Sequence, residues 1–169
     1  EIGEPYREIF EEIIRINTLD YEKYQKIQQV IIDALDQADW VRIKGAGENR
    51  TDLTVSLHPL RNPEKETKFE NCVSDVNIPL GEVFTSPVLA GTEGLLNVKS
   101  VYIGEFQFKN LAIWFKDGRV TDYTCENLED PEENRKLVRQ VILKNHESLP
   151  MGEFAIGTNT TAYAAGQRY

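Results

Sequence analysis

The chain opens with patterning for helices. In EPYREIFEEIIRIN, residues 4 to 17, the apolar residues Ile9, Ile13, Ile14 and Ile16 recur among acids and bases at helical spacing. In LDYEKYQKIQQVIIDALDQADW, Asp20 is placed to cap a second helix, with Tyr24, Ile27, Ile31 and Leu35 on one face. Both read as surface helices that bury one stripe each. From Trp40 the period changes to two. VRIKG and RTDLTVSLH alternate like strands and are split by the turn GAGEN. A polar loop, PLRNPEKETKFE, leads to the segment NIPLGEVFTSP. LLNVKSVYI, EFQFKNLAIWFKDGRVTDYTCE and GEFAIGTN then read as further strands, with Asp117-Gly118 as a two-residue hairpin turn. DPEENRKLVRQVILKNHE is a late helix, capped by Asp130 and started by Pro131, with acids leading and bases trailing. The expected fold class is α+β: N-terminal helices, mostly antiparallel strands and one late helix.

Length and charge narrow the choices. A chain of 169 residues suits one domain, or one domain plus an appendage, and can bury a core without metal or disulfide staples. The net charge of -9 and pI near 4.8 argue against a nucleic-acid partner. No apolar run approaches a membrane span and no signal-peptide pattern opens the chain, so no membrane partner is expected. Cys72 and Cys125 form neither a metal knuckle nor a disulfide framework, and a reducing cytoplasm is the expected setting. The chain starts at Glu1 and stops at Tyr169 inside TNTTAYAAGQRY. The expectation is a piece of a longer protein, with residues 1–19 a helical linker or remnant of a preceding domain and residues 20–169 the α+β domain.

Two segments carry candidate chemistry. In NIPLGEVFTSP, two prolines and a glycine bracket Glu82; proline fixes the backbone and glycine opens angles closed to other residues, so the carboxylate is aimed. MGEFAIGTN again sets a glutamate, Glu153, after glycine at a strand start. Two such openings could bring carboxylates together at neighbouring strand ends. There they could share a proton for acid/base work, hold divalent metals through oxygen, or simply cap free strand-end amides. Gly104-Glu105 lacks the proline frame and reads as strand-edge polarity. His58 ends a strand, and His146 sits where it would complement the late helix's dipole; neither has zinc-ligand spacing. Cys72 and Cys125 lack the context of a nucleophile, and GAGEN is a turn rather than a phosphate cradle.

Taken in order, ADWVRIKGAGENRTDLTVSL, NIPLGEVFTSP, EG-LLNV, FKDGRV and MGEFAIGTN make a chain that resembles the thermophilic metallo-aminopeptidases, the group of aminopeptidase T and aminopeptidase S, over roughly residues 38 to 159. The resemblance implies removal of N-terminal residues from peptides with a free N-terminus, by a homodimer using two divalent ions (cobalt, zinc or magnesium). It also implies that Glu82 and Glu153 are metal ligands. Paired metals would activate a bridging water and polarise the scissile carbonyl. The family's further ligands, a His, a later His-x-Asp pair and a Tyr, would follow the second segment, yet no histidine follows Glu153. The leading expectation is therefore a fragment carrying half a site, inactive as it stands. The alternative is a non-catalytic relative acting as a peptide-binding or dimerisation module. A third reading is a plain acidic α+β domain that dimerises through an exposed edge with Val83, Phe84 and Leu111 at its surface.

Overall fold

A computed structural model describes residues 5–73 and 79–166. Glu1, Glu4, Asn77, Ile78, Gln167, Arg168 and Tyr169 from the segments above lie outside them. The fold is α+β, and every strand pair is antiparallel. The chain divides into two compact units.

The unit that matters for the site comprises the described parts of Glu1–Ala38, Pro59–Thr85 and Glu153–Tyr169. It holds helices α1 (Tyr6–Asn17) and α2 (Tyr21–Leu35) and strands β3 (Glu70–Cys72), β4 (Glu82–Thr85) and β8 (Phe154–Gly157). A short helix, α4 (Thr160–Gly166), completes it. The sheet order is β3-β4-β8. Asp20 caps α2 as its position suggests, accepting from the Lys23 N–H at 3.1 Å. The buried stripe of α2 is rotated from the expected one. Gln28 and Ile32 are the fully buried pair, while Ile27 is exposed. Ile32, Phe69 and Val83 are all buried in this unit, and Phe69 meets Phe154 edge-on at 5.9 Å. Burying side chains of this size contributes roughly 1.5–3 kcal/mol each. The Gln28 amide nitrogen donates to the Cys72 carbonyl at 3.2 Å and the Thr158 hydroxyl at 3.0 Å, tying α2 to β3 and to the end of β8, while its Oε1 has no partner among the described residues. Lys68, also buried, donates from Nζ to the Ala38 carbonyl, while its own carbonyl accepts from the Thr85 hydroxyl at 2.6 Å.

The second unit, Asp39–His58 and Ser86–Gly152, is a five-stranded sheet in the order β1-β2-β5-β6-β7. Its strands are β1 (Trp40–Lys44), β2 (Asp52–Ser56), β5 (Val88–Ile103), β6 (Phe106–Lys116) and β7 (Arg119–Thr124), with helix α3 (Pro131–Val141) packed against β7. Phe108, Leu111, Ile113, Val138 and Leu143 centre its core. Asp117 and Gly118 turn the β6–β7 hairpin with φ of 46° and 66°, the left-handed pair such a turn requires. Gly104-Glu105 is a second hairpin turn, between β5 and β6, rather than strand-edge polarity. Helix α3 is capped by Asp130 but stops at Val141, short of the expected end. Lys144 and Asn145 take positive φ, and the Asn145 N–H bonds back to the Arg139 carbonyl at 2.9 Å, closing the helix. His146 therefore lies in the following turn and not on the helix end. The exposed edge expected at Val83 and Leu111 is also corrected, since both are buried by strand alternation. Among the described residues no helix is long and apolar enough to cross a membrane.

Candidate functional site

Glu82 opens β4, the central strand of its sheet. Strand alternation turns Val83 and Thr85 into the core and leaves Glu82 and Phe84 half-buried on the opposite face. Register sets Glu82 between Cys72 on β3 and Gly157 on β8. The backbone leading into it is fastened on both sides. The Leu80 N–H donates to Asn17 Oδ1 at 3.2 Å, and the Leu80 carbonyl accepts from Asn159 Nδ2 at 2.8 Å. The Gly81 carbonyl accepts from the Thr158 N–H at 2.8 Å. Gly81 itself has φ of +101°, and a β-carbon there would lie 3.2 Å from Thr158 Oγ1 and 3.4 Å from Asn159 Cβ. Only glycine fits both the angle and the space.

Asn159 organises this corner. It is buried, and its Nδ2 donates to the carbonyls of Ile16 and Leu80, both at 2.8 Å. Its Oδ1 accepts from the Ala162 N–H at 2.9 Å, which makes it the N-cap of α4. One side chain thus joins the end of α1, the lead-in to Glu82 and the start of α4. The sequence reading passed over Asn17 and Asn159. The signal for Asn159 was there, an asparagine just before a run of small residues able to start a helix. The signal for Asn17 was not, because its partner is far away in the chain. Beside Glu82 the same corner forms an open cavity of about 350 Å³, lined among the described residues by Pro79, Leu80, Gly157, Ala162 and Tyr163.

Glu153 is exposed and immediately precedes β8. Phe154 pairs with Thr85 at the far end of β4, whereas Glu82 pairs with Gly157. Both glutamates stand at strand starts, but antiparallel pairing sends those starts to opposite ends of one ladder. Their backbones are separated by about four residue steps, on the order of 13 Å. His58, half-buried beyond β2, His146 and Glu105 belong to the other unit. Cys125 is buried there, its thiol pushed up by burial and donating toward Asn134 Oδ1 at 3.4 Å. A divalent ion needs several donors at once. Among the described residues no three of His, Cys, Asp or Glu come together to supply them. These residues do not by themselves fit a complete metal centre.

The α+β arrangement around the framed carboxylate has a counterpart among solved structures. Wild-type AmpT from Thermus thermophilus matches with a TM-score of 0.60 at 19% identity, over 89% of this chain and 37% of that one. The likeness is one of fold, and this chain spans well under half the length of that relative. No curated protein matches. The family described as thermophilic metalloprotease (M29) matches residues 4–167, and the chain belongs to that family.

Proposed function

We propose that this chain is part of a metal-dependent aminopeptidase that removes N-terminal residues from peptides. In this reading Glu82 and Glu153 are among the ligands of two divalent ions, cobalt, zinc or magnesium, and the remaining donors come from outside the described residues. The observation that carries it is the family match across residues 4–167, which includes the fastened lead-in to Glu82. The chain's own contribution is positional. Asn17 and Asn159 hold Leu80 at its N–H and at its carbonyl, so the backbone leading to the carboxylate is fixed before binding. A cytoplasmic setting and a homodimer belong to the same proposal. With no complete centre among the described residues, this chain alone is expected to be inactive.

A second reading, a peptide-binding or dimerisation module, draws on α1. Its Tyr6, Phe10, Ile13 and Ile14 are exposed and apolar, as an assembly surface would be. The deciding measurement is release of an N-terminal residue from a leucyl anilide by the full-length gene product with cobalt, then with chelator. Metal-dependent release supports the aminopeptidase. A folded full-length protein that is inert with all three metals favours the module.

A further inference from the structure

We infer that the cavity beside Glu82 receives the side chain of the peptide's N-terminal residue, and that Ala162 and Tyr163 on α4 set which side chains it accepts. The inference rests on the aminopeptidase reading and adds the substrate preference. An enzyme that cuts the first peptide bond must hold the first residue against its reacting groups. The concavity that borders a ligand carboxylate is then where that side chain goes. At about 350 Å³ the cavity falls in the range of small-ligand sites. Its walls at Pro79, Leu80, Ala162 and Tyr163 are apolar. Gly157 leaves its side open, for a β-carbon at that position would meet nothing within 4 Å.

The chemistry of the walls selects an occupant. An aliphatic or aromatic side chain gains affinity by leaving water, about fourfold per buried methylene. An acidic one would have to give up its hydration against apolar walls that offer it no partner, which costs affinity. The expected order is leucyl above alanyl above glycyl, with glutamyl last. The wall and the carboxylate are held in mutual register by one residue, because Asn159 bonds both the Leu80 carbonyl and the Ala162 amide. Tyr163 is 73% exposed, so replacing it disturbs little of the core and tests the wall itself.

The experiment compares kcat/KM for leucyl and glycyl anilides in the full-length protein with cobalt. The variants are Ala162→Phe, which fills the cavity, and Tyr163→Ala, which removes a wall; Tyr102→Ala, exposed in the other unit, is the control. Circular dichroism confirms that each is folded. Ala162→Phe should lower the leucyl-to-glycyl ratio about tenfold or more, and Tyr163→Ala severalfold, with the control ratio unmoved. Hydrolysis with ratios within twofold of wild type in both variants overturns the pocket while leaving the aminopeptidase reading standing. Absence of hydrolysis in the wild type overturns both.

Discussion

Leu80, two residues ahead of Glu82, is held by side-chain amides at both its N–H and its carbonyl, and that arrangement makes individual residues accountable. Gly81 and Gly157 both border the cavity, yet they should respond oppositely to the same change. Gly81→Ala forces a β-carbon onto a backbone at φ +101° and to 3.2 Å from Thr158 Oγ1. Strain of that kind costs on the order of 1–3 kcal/mol. Gly157→Ala adds a methyl group to open space in a strand and should stay within about 0.5 kcal/mol of wild type. Urea unfolding of the two variants measures the difference. Equal destabilisation would mean that the frame ahead of Glu82 is not what holds this corner.

At the level of elements, α3 and β7 offer a pH test. Arg135 Nη1 donates to Asp122 Oδ1 at 2.6 Å and also reaches the Tyr123 carbonyl at 3.0 Å, with its guanidinium 4.9 Å from the centre of the Tyr123 ring. The Arg135 hydrogen bond holds the Asp122 carboxyl below the ordinary carboxylate range. A depressed folded value means the native state binds fewer protons than the unfolded chain near pH 4. The contribution is then complete above that range and is lost as pH falls through the folded value. Both partners are about half exposed, so solvent screening keeps the effect under about 1 kcal/mol. Asp122→Asn should lower Tm slightly at pH 7, and the gap should shrink as acidification carries the Asp122 carboxyl through its lowered folded range. A gap that widens in acid would contradict the assignment. Elements of this kind were written into the sequence by local pattern. The alternation of β1, β2, β6 and β7, the Asp117-Gly118 turn and the caps Asp20 and Asp130 all follow from neighbouring residues. Three features escaped. β3 is three residues inside a polar loop, and α4 is a short run of small residues after GTN, so neither has a period to detect. The α2 stripe shifted because Gln28 finds two distant acceptors, a long-range satisfaction that hydropathy alone cannot register.

For the whole molecule, the lesson lies in how the two aimed glutamates are arranged. Local sequence showed both at strand starts after glycine, but it did not show strand direction. Antiparallel pairing of β4 with β8 places them along one ladder within the same unit, joined from segments far apart in the chain. The pair is on the order of 13 Å apart at the backbone, so the role of each carboxylate is decided by substituting them one at a time. The test must separate ligation from bulk charge, because a molecule with net charge -9 attracts any cation. Glu82→Gln, Glu153→Gln and Glu105→Gln each remove one negative charge. Glu105 sits in an exposed hairpin turn of the other unit, with no proline frame. In the full-length protein the first two substitutions should each cut activity by on the order of a hundredfold or more and weaken metal binding in equilibrium dialysis. Glu105→Gln should leave both near wild type, as should His58→Ala. Equal losses in all three glutamate variants would reduce the effect to general electrostatics. A loss confined to Glu82→Gln would make Glu153 a strand-end carboxylate, leaving the metal with the carboxylate whose backbone the fold takes such care to fix.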